Sequence, residues 1–297
     1  MSSVRVAIID VGANTLRLLV AGPSGERVVA VHEEREQLGL GEEVERYGYI
    51  TAPKVARAAE VARAQTRKAR RLGCERVEIV VTSPGRQGGN GQELTEALAQ
   101  AAGVPARILS PEEEGALAWE GAVGALEAPP ETIAVCDVGG GSTQIAVGTR
   151  RAGPAWVRSV DLGSRRLSER LLDEDPPGRE QVEAARAEVE RAFAGIVPPA
   201  PLLGLATGGT ARALRRLVAT LDAEHLESAV EKLARIERAK IAKRLGVSPQ
   251  RAATLLAGTI LFAEVQRRIA VPLQVAQGGV REGCALALFR ESVSAYA

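Results

Sequence analysis

The chain carries one short device twice, and that repetition constrains its fold more than any other feature. Residues 8–21 read IIDVGANTLRLLVA and residues 135–148 read VCDVGGGSTQIAVG. Laid on each other without gaps, they pair Asp10 with Asp137, Val11 with Val138, Gly12 with Gly139, Thr15 with Ser142 and Val20 with Val147. Each is an apolar run ending at an Asp, a Gly-containing turn and a second apolar run, which reads as a β-hairpin. A single repeat of this length cannot make a solenoid. A duplicated domain is the economical reading, with a small polar ligand expected in the cleft between the halves.

In the second copy the turn is Gly139-Gly140-Gly141, followed by Ser142 and Thr143. Three residues without a Cβ let successive backbone N–H groups point into one concavity, and two hydroxyls add donors, so the turn suits phosphate oxygens. Asp137 at its mouth would repel a bare phosphate, which argues for a divalent cation, most simply Mg²⁺, between carboxylate and phosphate. A Gly-rich hairpin turn without a ligand is the plain alternative. Further along, a strand over Leu202–Ala206 runs into Gly208-Gly209-Thr210 and a helix over Ala211–Thr220. There, helix N-terminal amides form a second place for an anion.

Two side chains between the hairpins stand out. Arg86 sits in the Gly-rich loop 83–90 after a strand over Arg76–Thr82, the end of a strand at which α/β folds place ligand contacts. Ser110-Pro111-Glu112-Glu113-Glu114 opens a helix: Ser110 is a good N-cap, Pro111 suits the first turn, and Glu113 stands at capping-box spacing. The helix dipole explains Glu112. Glu114 has no capping job: either it is a third dipole-favoured surface carboxylate, or its position one residue further round the helix aims it into a cleft.

The remainder bounds the reading. With 297 residues and 45% hydrophobic content the chain is long enough for two cores. A net charge of +1 gives no support to general nucleic-acid binding. The arginines at 57, 63, 67, 70 and 71 of the helix over Thr51–Leu72 read as a solvated face. Cys74, Cys136 and Cys284 are widely spaced with no CxxC, and only His32 and His225 exist, so a disulfide framework, a zinc site or a histidine triad has little to draw on. No leader and no apolar run near the ~18 residues of a membrane span are present, and a cytoplasmic protein is expected. Residues 38–49 read as a Gly- and Glu-rich loop, 222–245 as helix, and Ala125–Glu131 as the domain boundary.

Taken in order, Asp10-Val11-Gly12, Arg86, Glu113-Glu114, Asp137-Val138-Gly139-Gly140-Gly141-Ser142-Thr143, Gly208-Gly209-Thr210 and Arg281-Glu282-Gly283 resemble the exopolyphosphatase / guanosine pentaphosphate phosphohydrolase family. The resemblance runs over nearly the whole length. It implies two duplicated actin-like (ribonuclease H-like) α/β domains with an interdomain cleft: residues 1–127, joined by a C-terminal helix at 286–297, and residues 128–285. It also implies Glu114 as the water-activating carboxylate, Arg86 as its phosphate-binding partner in catalysis, and Mg²⁺ or Mn²⁺ at Asp10 and Asp137. Phosphate contacts would come from Asn14, Thr15, Gly139, Gly140, Gly141, Ser142, Thr143, Gly208, Gly209 and Thr210. The family's phosphate loop normally ends Ser-Thr-Glu, and Gln144 here keeps the shape of that metal-associated Glu without its charge.

The implied activity is release of orthophosphate from inorganic polyphosphate, with the guanosine pentaphosphate alarmone as the other substrate class. An attenuated site that binds either without turnover, and an ATP-dependent phosphotransferase of the same fold, are the competing readings. No membrane or specific nucleic-acid partner is implied, and a homodimer is left open.

Overall fold

The computed structural model describes residues 4–25, 27–128 and 130–294; Pro129 of the 125–131 connection and the last three residues of the 286–297 tail lie outside the described residues. The chain divides into two units, residues 1–126 with 278–297, and residues 127–277.

In the first unit, β1 (Arg5–Val11), β2 (Thr15–Ser24) and β3 (Arg27–Gln37) form an antiparallel meander. Helices α1 (Leu40–Tyr47) and α2 (Ala52–Arg71) lead to β4 (Cys74–Val81), which returns parallel to β1. Helices α3 (Ser83–Gln87) and α4 (Gly91–Ala102) then lead to β5 (Ala106–Ile108) and α5 (Pro111–Gly124). The sheet order is β3-β2-β1-β4-β5. Strand β1 is apolar and buried from Val6 to Ile9 because both its faces are covered, as parallel-type sheets require. Ala7, Ile9 and Val11 pack in one cluster with Leu94 and Leu98, and Val6 and Ile8 pack in another with Ala118 and Cys284. The outermost strand, β3, carries Glu33, Glu34, Arg35 and Glu36, charges that discourage pairing with a further strand.

The second unit repeats the plan. Strands β6 (Ile133–Val138), β7 (Thr143–Thr149) and β8 (Gly153–Val160) form the meander, followed by α6 (Ser164–Leu171) and α7 (Arg179–Ala192). Strand β9 (Leu203–Thr207) pairs in parallel with β6 and continues into α8 (Gly208–Leu214). Helices α9 (Ala223–Leu233), α10 (Arg238–Leu245) and α11 (Pro249–Ile269) precede β10 (Leu273–Val275), and the order is β10-β9-β6-β7-β8. Read from opposite ends, the two orders are the same. Even the hairpin registers match: Asp10 faces Arg17 across β1 and β2, and Asp137 faces Gln144 across β6 and β7.

The last helix, α12 (Val280–Ser294), packs along α5 and β1. Residues 278–285, assigned from the sequence to the second domain, therefore group with the first unit. The contact is close because glycines line it. A Cβ on Gly121 of α5 would stand 2.0 Å from Gly279 O, and one on Gly283 of α12 would stand 2.0 Å from Leu117 O.

Three local expectations are corrected. Residues 38–49 contain a helix rather than only a loop: left-handed Gly39 and Gly48 bracket α1, and Leu40 and Val44 are buried beneath it. Within the 83–90 loop, Pro84 opens the short helix α3. The helix expected at Ala211–Thr220 begins at Gly208 and ends at Leu214; the helical reading of 222–245 holds, as α9 and α10.

Candidate functional site

The capping box foreseen at Ser110 is made in full. Ser110 Oγ accepts from Glu113 N at 3.1 Å, and the Glu113 carboxylate accepts from Ser110 N at 2.7 Å. That backbone N–H is the main reason the Glu113 carboxyl lies below its ordinary range; burial opposes it, and Arg107 assists. Glu114, turned about 100° further round the helix, is only 8% exposed. Arg86 donates Nη2 to Glu114 Oε2 at 2.7 Å and Nη1 to Leu109 O at 2.8 Å. The guanidinium is thus held between the chain end of β5 and the first turn of α5. Desolvation offsets much of the attraction in such a pair, so its stabilising value is small. A buried carboxylate kept there points to chemistry.

Each Asp-Val-Gly turn is closed by the same bond: Gly12 N donates to Thr15 O, and Gly139 N to Ser142 O, both at 3.0 Å. Each also receives a helix start. Gly41 N donates to Ala13 O at 2.8 Å in the first unit; in the second, Ser164 N donates to Gly139 O and Arg165 N to Gly140 O, both at 2.9 Å. So α1 is the counterpart of α6. In a trans peptide the carbonyl of one residue and the N–H of the next point opposite ways. With the carbonyls of Gly139 and Gly140 turned to α6, the N–H groups of Gly140 and Gly141 face the other side, the arrangement an anion nest needs. Gly163 must be glycine for α6 to dock, since a Cβ there would lie 2.4 Å from Gly140 C.

The hydroxyls around these turns are differently employed. Thr143 is fully buried and donates to Leu162 O at 2.8 Å. Thr15 Oγ1 accepts from Arg17 Nε at 2.9 Å. Gln144, 2% exposed, donates its amide to Ser142 Oγ at 2.9 Å and to Ser159 Oγ at 3.1 Å. Asn14 holds the first turn by its backbone carbonyl, which accepts from Leu38 N and Gly39 N. At the second anion candidate, Gly208 has φ of 86°, and a Cβ on it would stand 3.0 Å from Asp137 Oδ1. The left-handed backbone and the close carboxylate both call for glycine.

Asp10 and Asp137 are the penultimate residues of β1 and β6, each beside a glycine turn, and no group of three His, Cys, Asp or Glu side chains is brought together among the described residues. Mg²⁺ keeps most of its waters and is commonly held by one or two carboxylates plus substrate phosphates.

Two cations escaped the sequence reading. Arg251, in the first turn of α11, donates Nη1 to Thr210 Oγ1 at 2.8 Å, and its guanidinium covers Gly209 so closely that a Cβ there would meet Nη2 at 2.6 Å. Arg165 of α6 is 9% exposed and donates to Glu169 at 2.9 Å beside the Gly140 turn. Neither lies in a motif; only the burial of an arginine against a glycine turn marks them.

The model of the Ppx/GppA phosphatase family matches residues 19–291. The chain belongs to that family. By class a Ppx/GppA member is a phosphoanhydride hydrolase, so the chain is an enzyme. Exopolyphosphatase 2 of Mycobacterium tuberculosis is 30% identical over 97% of this chain and 99% of its own length. Exopolyphosphatase 1 of Mycobacterium leprae is 25% identical over 95% of this chain and 88% of its own. The solved Ppx/GppA enzyme of Aquifex aeolicus superimposes with a TM-score of 0.80 at 25% identity, covering 96% of this chain and 99% of that one. An exopolyphosphatase from Cytophaga hutchinsonii shares the fold, with a TM-score of 0.85 at 20% identity over 97% of this chain and 98% of that one. The two duplicated five-stranded sheets are the actin-like architecture of Ppx/GppA proteins. No helix among the described residues is long and apolar enough to cross a membrane.

Proposed function

We propose that this Ppx/GppA member is an exopolyphosphatase that releases orthophosphate from the end of inorganic polyphosphate. The observation that carries the reading is Glu114. It is a nearly buried carboxylate that the capping box leaves unused, gripped by Arg86 at 2.7 Å. Polyphosphate is favoured over the pentaphosphate alarmone because the chain is coextensive with a relative named exopolyphosphatase, at 97% and 99% coverage.

In this mechanism Glu114 orients a water and accepts its proton as the water attacks the terminal phosphorus, a role typically contributing ~10²–10⁴ in rate. Arg86 positions Glu114 and turns its planar fork to phosphate oxygens when substrate binds. Backbone N–H groups of Gly139–Ser142 and Gly208–Thr210 hold phosphate oxygens and take up charge as the bond breaks. Asp10 and Asp137 are the carboxylates offered to Mg²⁺ or Mn²⁺, which when bound neutralises developing phosphate charge.

The test compares phosphate release from short polyphosphate, long polyphosphate, guanosine pentaphosphate and ATP, each with Mg²⁺ and with Mn²⁺. Fastest release from polyphosphate, lost in Glu114→Gln, is the expected result. Preference for the pentaphosphate or ATP overturns the substrate assignment. Tight polyphosphate binding without release under either metal identifies the attenuated binding site instead, the reading that the charge lost at Gln144 favours.

A further inference from the structure

Thr207 is the last residue of β9 and 1% exposed, and its hydroxyl oxygen has no hydrogen-bond partner within the fold. It occupies the N-cap position of α8, where a threonine oxygen ordinarily accepts from an amide two or three residues on, yet it makes no such bond. A buried hydroxyl left without a partner is destabilising. Its neighbours indicate what it is kept for. Thr207 is the register partner of Asp137 on β6, and Asp137 is that of Gln144 on β7, which in turn faces Ser159 on β8. Register partners project from the same side of a sheet, so these four polar side chains form one row across it. The next residue, Gly208, runs against the Asp137 carboxylate.

The first unit supplies the comparison. There the residue that follows the parallel strand and caps the next helix is Thr82, also buried, and its hydroxyl donates to Val11 O at 3.4 Å. The threonine at this position of the duplicated fold thus has a partner within the fold in the first unit, and Thr207 in the second has none.

We propose that Thr207 is a phosphate-binding residue whose hydroxyl donates to an oxygen of the phosphoanhydride end held beside Asp137. This rests on the reading of Gly139–Ser142 and Gly208–Thr210 as the phosphate-binding turns. A valine at 207 keeps the shape and removes the donor, while a serine keeps the donor.

The experiment measures tripolyphosphate affinity of the full chain by calorimetry, with and without Mg²⁺, alongside the unfolding temperature without ligand, for wild type, Thr207→Val and Thr207→Ser. The valine variant is expected to unfold at the same or a higher temperature than wild type and to bind tripolyphosphate roughly tenfold more weakly. The serine variant should bind close to wild type. Wild-type binding unchanged in Thr207→Val overturns the role of Thr207 alone. Absence of binding by wild type under both conditions overturns the phosphate-turn reading and this inference with it.

Discussion

Arg86 Nη2 lies 2.7 Å from Glu114 Oε2, while the same guanidinium grips Leu109 O through Nη1. A glutamine at 114 still accepts from Arg86 but cannot take a proton. Glu114→Gln is therefore expected to keep the wild-type melting temperature and to lower kcat by ~10²–10⁴. Melting curves beside phosphate-release kinetics check both; wild-type turnover in this variant removes Glu114 from the mechanism. Arg86→Ala should lower kcat/KM as well and should be destabilising, because it leaves a buried carboxylate without its counter-charge.

Position 144 decides how charge is distributed near Asp137. As glutamine it donates to two serine oxygens; as glutamate it could only accept, so Ser142 and Ser159 would have to turn their protons toward it. Gln144→Glu is expected to lower the Mg²⁺ concentration needed for half-maximal turnover. A metal titration of phosphate release reads this directly, and an unchanged midpoint means that residue 144 takes no part in metal binding.

Two helix caps contribute to the acid dependence of stability. Asp222 caps α9 and is held down at about 2 by the Thr220 hydroxyl first and the His225 backbone N–H second; Glu113 is shifted the same way by Ser110 N. Carboxyls depressed in the fold contribute stability that is fully present above their unfolded values of about 4 and is lost as pH falls through the folded ones. Melting temperature should decline from about pH 4 towards pH 2, and Asp222→Asn should flatten that slope. A slope identical to wild type excludes Asp222 as a contributor.

The glycine contact between α5 and α12 should be among the least tolerant packing sites in the first unit. Gly121→Ala forces a methyl against the Gly279 carbonyl, an overpacking that typically costs about 1–3 kcal/mol. Thermal unfolding should show a clear drop. Gly73→Ala is the contrast: nothing lies within 4 Å of a Cβ there, but φ of +82° strains any other residue, so its smaller loss would have a backbone origin.

The three thiols should be inert to alkylation in the folded protein. Burial pushes Cys74 up to about 11, and it also raises Cys136 and Cys284. Thiol counting with a neutral-pH alkylating reagent should find reaction only after unfolding; fast labelling of the native chain contradicts this burial.

Much of the plan was legible because its signals are local. The repeated Asp-Val-Gly segments announced both hairpins, and Ser110 to Glu113 announced the start of α5, since a capping box needs only four consecutive residues. The pairing of Arg86 with Glu114 was not legible, although both residues were singled out, because it joins positions 28 apart through the return of β5 beside β4. Arg251 was missed for the same reason: 41 residues separate it from Thr210. Helix α1 was hidden because its glycines read as loop, whereas Gly39 and Gly48 act as left-handed ends and Gly41 allows the approach to Ala13.

The carbonyls of Gly139 and Gly140 are committed to α6 by bonds of 2.9 Å, and that of Ala13 is committed to α1 at 2.8 Å. The orientation of these peptide planes is therefore fixed by folding rather than by ligand arrival. On the proposed reading of this turn, a phosphate would meet dipoles already aimed, so little reorganisation energy would be drawn from its binding. The same bonds tie turn to helix mechanically: a ligand that displaces the turn must carry the start of α6 with it, which makes that helix the natural reporter of occupancy.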